Sequence, residues 1–567
     1  MLLFRNANVS QTKPRRARPR IGLALSGGGF RASIFHLGVI RRLEELGIMA
    51  EISVISSVSG GSIVAAYYVR RMEDLLRSLP PGHVPTTEER VAFFERIAEQ
   101  FLEATDHNLR TRALVYTPFF HFPSFVRTLL SRPFRETARS ELIQTEYDRW
   151  LYHNDTLDEL PSVTPDQGEP QAGVIYGPRV IFNTTSLISG ERVSFSREPV
   201  SKFMQMSRVN KNVLPLSRVV GASACVPGLF PPTAIAGDVL VDGGVSDNQG
   251  VEGLIQEGGD CDVMIVSDAS GQMEEVDSIS TGELAVLSRV NATLQFQVRA
   301  KTLEILLAWK REVPTREFAF MHLFLNLKDR VESDRLPSEY IPGVARIRTD
   351  LDQFSYIETE ALMYHGYTLA DAQLKEYCQS VLQPVTPLNV PPLFRAQSAD
   401  PVARREIIRT DLKAGAQNVY LLRCAEKYNR MWTVLGFGAT VGIAIVVALL
   451  WVSLKPLHVT EDFIGRMIYG LIPIPSVFAH PLDQLLQQLG LTTLSATVKG
   501  IAGILALAAF VAISLYVVSF PVYAGVRAYS LHLDRLRYKN ITGEEWSTHW
   551  KSVQTPDRSY SAAAGND

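Results

Sequence analysis

The chain has 567 residues, too many for one ordinary hydrophobic core, and predicts two or more domains or one large decorated domain. Its composition, 46% hydrophobic and 20% charged, is that of a folded protein and excludes an intrinsically disordered one. The formal net charge of −2 gives no global basis for binding nucleic acid, so we expect no nucleic-acid partner.

The cysteines and the N-terminus indicate the compartment. The cysteines are far apart and form no C-x-x-C pair, so the sequence predicts neither a disulfide scaffold nor a metal site, and no motif requires a cofactor. This pattern favours a reducing compartment. Residues 1–20 are basic and lack a long apolar core, which predicts a solvated tail, or a segment touching anionic lipid, rather than a secretory signal. The cysteines are Cys225, Cys261, Cys378 and Cys424.

A glycine-rich loop follows the first predicted strand, residues 21–25, and precedes a predicted helix over 33–46. Consecutive backbone N–H groups at a helix N-terminus bind a developing oxyanion or a phosphate. Arg31 in this loop either holds a phosphate head group or braces the loop through backbone carbonyls. His36, on the following helix, is predicted to be a packed structural histidine. The candidate oxyanion residues are Gly27, Gly28 and Gly29.

The second predicted strand, residues 52–55, runs through Ser57-Val58-Ser59-Gly60-Gly61 into a helix pattern over 62–79. This is the layout of a nucleophile elbow, G-x-S-x-G, with Ser59 at its tip. Ser57 replaces the first glycine of the motif. A serine-rich structural turn is the alternative interpretation.

The glycine loop also satisfies a dinucleotide-binding fingerprint, because Gly27, Gly29 and Ala32 follow a strand. That interpretation requires an acidic residue at the end of the second strand to hold the ribose. The Ser59 turn occupies this position, and the nearest acid, Glu51, is at the opposite end of the strand. The sequence therefore disfavours a dinucleotide site.

Residues 80–170 predict a helical insertion, with an amphipathic helix at 88–105 and an aromatic, proline-broken run at 116–125. The aromatic run is either an interfacial lid or part of the core of the insertion. Beyond it, strands and helices alternate, which predicts an α/β fold with mostly parallel strands. These predicted strands are 179–185, 192–195, 238–242, 262–267 and 317–327, and the helices are 215–224, 282–310 and 354–377.

Asp242 is the best candidate base for Ser59, because it ends an apolar strand and the two glycines after it allow close approach. A serine hydroxyl is a poor nucleophile without a base to take its proton. A carboxylate has a usual pKa of about 3.9 and serves as that base only when burial and hydrogen bonds position it. No histidine is tied to Ser59 by a motif.

Two uncharged stretches near the C-terminus, 433–454 and 500–525, are each long enough to cross a bilayer. Their outer flanks are rich in Arg and Lys, so we expect both termini and the α/β domain on the cytoplasmic side. The predicted plan is a basic tail (1–20), an α/β domain (21–390), a juxtamembrane helical segment (391–432), two transmembrane helices with an apolar loop (433–526) and a cytoplasmic tail (527–567).

Three motifs in this order resemble the patatin-like phospholipase family: Ser26-Gly-Gly-Gly-Phe-Arg31, Ser57-Val-Ser-Gly-Gly61 and Asp242-Gly-Gly244. With supporting stretches, the resemblance covers about residues 21–268. It implies a mostly parallel sheet flanked by helices, and a Ser-Asp dyad without histidine that hydrolyses acyl esters of lipids. By this resemblance Ser59 is the nucleophile, Asp242 the general base, and the three loop glycines the oxyanion site.

The sequence as a whole predicts a membrane-anchored serine acyl hydrolase acting on phospholipids or related lipids, with membrane lipid as its partner. An acyltransferase, in which an alcohol replaces water in the second step, is one alternative. A catalytically idle membrane-anchored scaffold is another. Lipid preference and oligomeric state are left open.

Overall fold

The computed structural model describes residues 19–80, 83–107, 109, 138–165, 176–198, 204–205, 213–227, 230–271, 282–327, 335–382, 386–395, 401–417, 531–548 and 550–552. The chain divides into two compact units. The first contains Met1–Asn418 and Tyr538–Asp567, and the second contains Val419–Arg537. Within the second unit, residues 531–537 are described and are helical.

The first unit is built on a sheet with the strand order β5-β6-β3-β2-β1-β7-β8, and β4 pairs with β3 outside this path. Strands β3, β2, β1, β7 and β8 lie side by side and run parallel. Strands β4 and β6 each pair with β3 in the antiparallel direction, and β5 pairs antiparallel with β6. The predicted mostly parallel sheet is therefore confirmed. The strands are β1 Ile21–Leu25, β2 Ile52–Val58, β3 Arg179–Ser186, β4 Arg192–Phe195, β5 Thr233–Ile235, β6 Asp238–Asp242, β7 Val263–Asp268 and β8 Glu317–His322.

Helices pack on the sheet and agree closely with the periodic patterns of the sequence. The first two begin earlier than predicted, at Gly29 and Gly60, which are glycines that precede each pattern. The helices are α1 Gly29–Glu45, α2 Gly60–Arg77, α3 Thr87–Thr105, α4 Ala138–Tyr147, α5 Leu216–Ser223, α6 Val251–Glu257, α7 Glu283–Glu312, α8 Ile341–Ala345, α9 Tyr356–Tyr377 and α10 Pro401–Gly415.

Helix α1 crosses α9 with the two backbones in contact. A Cβ atom at Gly38 would lie 1.8 Å from the Met363 carbonyl oxygen, and one at Gly366 would lie 2.3 Å from the Phe35 carbonyl oxygen. Because no side chain fits at either position, two glycines set this distance of approach. The contact fixes α1, whose first turn carries the glycine loop.

The carboxyl ends of β1, β2 and β3 lie at one edge of the sheet. Leu25 is in register with Ser57, and Val58 with Asn183. Antiparallel β6 reaches the same edge, because Asp242 pairs with Thr184. This topology brings together loops that are far apart in the sequence, at the carboxyl ends of the strands where open α/β sheets bind their ligands.

The C-terminal part of the chain returns to the first unit. Residues 531–542 are helical, and the buried Tyr538 donates its hydroxyl to Glu360 on α9. A two-stranded sheet then pairs β9, Asn389–Val390, with β10, Lys551–Ser552. Residues that the sequence assigns to a cytoplasmic tail thus pack on the α/β unit.

Three sequence predictions lie wholly or mostly outside the described residues: the basic tail, of which only residues 19 and 20 are described, the aromatic run 116–125, and both apolar stretches, 433–454 and 500–525. Among the ranges given above, no helix has the length and apolar character needed to cross a membrane.

Candidate active site

Ser59 lies at the tip of the turn between β2 and α2, with φ 50° and ψ −117°. This left-handed backbone is uncommon for a residue with a side chain and is typical of strained functional turns. The glycines that follow are sterically required. A Cβ at Gly60 would lie 2.1 Å from the Gly29 carbonyl oxygen, and one at Gly61 would lie 2.3 Å from that of Leu25. The turn therefore has the geometry of a nucleophile elbow, packed directly on the glycine loop.

Asp242 lies in the same buried site as Ser59. Its Oδ1 accepts a hydrogen bond from the Gly244 N–H at 2.7 Å, which begins the turn after β6. Burial raises the pKa of Asp242 to about 6, and hydrogen bonding from the Ser59 hydroxyl and the Gly244 N–H opposes this rise. Among the described residues, Asp242 Oδ2 has no hydrogen-bond partner, so this oxygen has capacity to accept a proton.

The glycine loop offers two backbone donors at this site. The Gly27 N–H already donates to the Asn248 carbonyl at 3.0 Å, so it is not free to bind an oxyanion. Gly28 and Gly29, with φ 137° and 59°, have no amide hydrogen bond within the described part of the chain. The candidate oxyanion donors of the predicted three-glycine set are therefore Gly28 and Gly29, at the N-terminus of α1.

Arg31 makes the contacts of a loop-bracing residue. Its side chain is buried and donates to the carbonyl oxygens of Ile347, at 2.8 Å, and Ala269, at 3.0 Å. Burial lowers the pKa of Arg31 to about 10, and Asp268 and Asp350 oppose that change. These bonds join the first turn of α1 to two segments that are remote in sequence, as a loop-bracing role requires.

His36 is a buried structural histidine, as the sequence indicates. One ring nitrogen lies 2.7 Å from the Ser267 hydroxyl and the other 3.0 Å from the Ser26 carbonyl oxygen. Burial lowers the pKa of His36 to about 4, so the ring is neutral near pH 7. With both nitrogens hydrogen-bonded to groups other than Ser59, His36 is not the base of a triad.

Ser57, the departure from the elbow motif, fits its site without distortion. It is fully buried, donates its hydroxyl to the Ile181 carbonyl at 3.1 Å, and accepts from Ser62 at 3.1 Å. Where the motif has a glycine, the Ser57 side chain thus fills the site and its hydroxyl donates a hydrogen bond to β3.

Sequence reasoning missed three features around the site. The loop that contains Asp350 covers the glycine loop, with the Asp350 carbonyl accepting from the Phe30 N–H at 2.9 Å. Ser223 accepts the Ser59 N–H, and the buried Tyr147 hydroxyl, near enough to Asp242 for the two to interact electrostatically, has no hydrogen-bond partner among the described residues. None of these follows a local motif, because each depends on a segment remote in sequence.

This arrangement combines a strained serine, a buried carboxylate of raised pKa and free backbone N–H groups at a helix N-terminus. These are the parts needed to form and stabilise a tetrahedral intermediate in acyl transfer. Among the described residues, no group of three or more His, Cys, Asp or Glu side chains is arranged to hold a metal ion.

Comparison with known proteins assigns the domain. The family model for patatin-like phospholipases matches residues 23–255, which contain the glycine loop, Ser59 and Asp242. Residues 23–255 are therefore similar to a patatin-like phospholipase domain. No curated protein matches the chain.

Solved structures with detectable similarity include human GIVD cytosolic phospholipase A2, at 12% identity and a TM-score of 0.36, covering 64% of this chain and 63% of that one. VipD from Legionella pneumophila has 14% identity and a TM-score of 0.26, covering 94% and 90%. ExoU of Pseudomonas aeruginosa, solved with SpcU, has 13% identity and a TM-score of 0.19, covering 74% and 90%. This chain thus spans less than two thirds of the human enzyme, and TM-scores below 0.5 carry no conclusion about function.

Proposed function

We propose that this protein is a serine acyl hydrolase that cleaves acyl esters of phospholipids or related lipids through Ser59 and Asp242. The observation that carries the proposal is the meeting of these two residues in one buried site, within the patatin-like domain. A carboxylate with a pKa near 6 is a far better base at neutral pH than one with a pKa near 4. It remains ionised at pH 7, so it is ready to accept a proton.

In the proposed reaction, Asp242 accepts the Ser59 hydroxyl proton as Ser59 Oγ attacks the ester carbonyl carbon. The amides of Gly28 and Gly29 stabilise the negative oxygen of the tetrahedral intermediate. Protonated Asp242 then gives the proton to the leaving alcohol, and an acyl-enzyme remains. Water, deprotonated by Asp242, attacks this ester and releases the fatty acid.

The test is acyl hydrolysis of mixed phospholipid vesicles by the full chain and by its Ser59→Ala and Asp242→Asn variants. We expect losses of at least about 10³-fold in kcat for both, because nucleophile and base act as one unit. A Ser57→Ala variant is the control and should keep most activity. Fatty-acid release by Ser59→Ala at the wild-type rate would contradict the proposal.

We also propose that the chain is anchored in a membrane by residues 433–454 and 500–525, with the α/β unit and both termini on the cytoplasmic side. Two features support this. The stretches are uncharged and of spanning length. The chain leaves the first unit after α10 and rejoins it at Tyr538, as an even number of crossings requires. Resistance of the full chain to extraction by alkaline carbonate is expected, and its release would contradict anchoring.

The exposed apolar side chains at the active-site edge favour a substrate held in a lipid surface. Strand β3 continues three residues beyond Asn183, the partner of Val58, and then turns at Leu187 and Ile188. These two side chains are 56% and 68% exposed. The turn lies at the edge of the sheet where β2 leads into Ser59, so a bilayer contacted by its tip would be close to the nucleophile.

The same site chemistry also serves an acyltransferase, in which an alcohol attacks the acyl-enzyme. Product analysis separates the two: free fatty acid identifies a hydrolase and a new ester identifies a transferase. A catalytically idle scaffold would leave Ser59 unlabelled by a fluorophosphonate. The strained Ser59 backbone argues against an idle site, because such strain has no structural use of its own.

A further inference from the structure

Three buried serines form a connected cluster behind the Ser59 turn. We call Ser57, Ser62 and Ser223 the serine bridge. All three are fully buried. Ser62 Oγ lies 3.1 Å from Ser57 Oγ and 2.8 Å from Ser223 Oγ. The bridge therefore connects the adjacent elements β2 and α2 to α5, whose Ser223 is 161 residues from Ser62 in the sequence.

Ser223 is the member that contacts the Ser59 backbone. Its Oγ accepts the Ser59 N–H at 3.1 Å and donates to the Asn183 carbonyl at 2.7 Å. A Cβ at Gly243 would lie 2.3 Å from that same carbonyl oxygen, so the turn after Asp242 packs directly against it. One hydroxyl thus joins the backbone of Ser59 to the carbonyl that supports the Asp242 turn.

The hydrogen bond from the Ser59 N–H to Ser223 is present whichever way the bridge hydroxyls donate their protons. Ser57 donates to Ile181 and Ser223 donates to Asn183, so only the Ser62 hydroxyl has a choice, between Ser57 and Ser223. Each hydroxyl has one proton to donate and two lone pairs to accept with. In either arrangement Ser223 keeps a lone pair for the Ser59 N–H. The bond to the nucleophile is therefore independent of how Ser62 is oriented.

We infer that Ser223 is a positioning residue, which holds the strained Ser59 turn at the distance from Asp242 that proton transfer needs. This inference rests on the proposed function of Ser59. Ser223 does not touch the reacting atoms and acts only through the Ser59 amide and the Asn183 carbonyl. Ser59 and Asp242 lie on separate turns, so a small displacement of the Ser59 turn would change the distance across which the proton moves.

The test compares Ser223→Ala with Ser217→Ala in the full chain. Ser217 is the matched control, since it lies on the same helix, is also buried, and has its hydroxyl bonded to Asp148 rather than to the site. We measure Tm, the kinetics of hydrolysis of a soluble acyl ester, and the rate at which a fluorophosphonate labels Ser59.

We expect Ser223→Ala to lower kcat and the labelling rate together by about 10- to 100-fold, with KM within about twofold of wild type. Ser217→Ala should keep both rates near wild type while losing a similar amount of Tm. Equal labelling rates for Ser223→Ala and wild type would overturn the inference, as would equal losses of activity in the two variants.

If Ser223→Ala does not fold, Ser223→Cys keeps the size of the side chain but weakens the acceptor, and undiminished labelling of this variant overturns the inference. If wild-type Ser59 is not labelled while the chain hydrolyses the ester, the proposed function fails, and the positioning role fails with it. Labelled wild type with unaffected Ser223→Ala overturns the positioning role alone.

Discussion

At the scale of single residues, the burial of Asp242 is what allows the proposed mechanism to proceed without a histidine. Buried with its Oδ1 bonded to Gly244, the carboxyl has a pKa of about 6. The base form is the ionised one, so the fraction of active enzyme rises with pH. We expect kcat/KM for a soluble ester to rise about tenfold per pH unit below 6 and to level off above it.

A kinetic pH profile from 4.5 to 8 on folded protein checks this expectation. A flat profile, or a midpoint near 4, would mean that Asp242 is not the titrating base. His36 cannot mimic the expected midpoint, because its own pKa is lowered to about 4.

The same burial implies a cost in stability. Asp242 binds its proton more tightly in the folded than in the unfolded chain, so between pH 4 and 6 the unfolding free energy falls as pH rises. A pKa raised from 3.8 to about 6 corresponds to at most roughly 3 kcal/mol above pH 6. Asp242→Asn should therefore be inactive yet more stable than wild type at pH 8, by up to that amount.

Chemical denaturation at pH 8 and at pH 4.5 measures this difference, which should shrink at the lower pH as the wild-type carboxyl becomes neutral. Ser59→Ala serves as the comparison, since it removes activity and keeps the buried charge. An Asp242→Asn protein less stable than wild type at pH 8 would show that the hydrogen bond from Gly244 outweighs desolvation.

At the scale of elements, the β3–β4 turn is the apolar projection at the active-site edge. We expect Ile188→Asp to reduce hydrolysis of vesicle phospholipid by about tenfold, because a charge placed in the lipid interface is unfavourable. Hydrolysis of a soluble monomeric ester should change by less than about twofold, since Ile188 is 68% exposed and supports no core packing.

Val84→Asp is the matched control for this prediction. Val84 is 74% exposed but follows the far end of α2, a helix of 18 residues that begins at the site and is about 27 Å long. Equal effects of the two substitutions on vesicle hydrolysis would remove the β3–β4 turn from the lipid contact.

At the scale of the whole molecule, the residues after 537 complete the α/β unit. Trp550 is buried, lies 4.3 Å from the Arg41 guanidinium and packs edge-on against Tyr367 of α9. Arg41 also donates to the Thr548 carbonyl at 2.5 Å. Because α1 and α9 carry these contacts, Trp550→Ala should lower the unfolding free energy by about 3 kcal/mol.

Thermal unfolding of the full chain checks this, with Leu536→Ala as the control. Leu536 is 43% exposed, and its substitution should cost no more than about 0.5 kcal/mol. A Trp550→Ala protein with wild-type Tm would mean that the C-terminal residues are not part of the cooperative unit.

Local sequence determined most of the elements and the residues that we propose to react. Strands β1, β4 and β6 coincide with their apolar runs, and Ser59 and Asp242 could be selected because small residues beside each mark a sharp turn after a strand. Strand β5, Thr233–Ile235, is not predicted from the sequence, because Pro231 and Pro232 before it indicate only the end of the preceding helical segment. Its pairing with β6 overrides that local signal.

Tertiary structure alone decided how the site is supported. Nothing local to Gly27 indicates that Asn248 occupies its amide, and nothing local to Ser223 indicates a bond to Ser59, 164 residues away. The choice between two roles for Arg31 likewise depended on Ile347 and Ala269. Motifs identify the residues that we propose to react, because the chemistry of these residues and the geometry of their turns are local. The positions of those residues depend on contacts between distant segments, which only the folded sheet brings together.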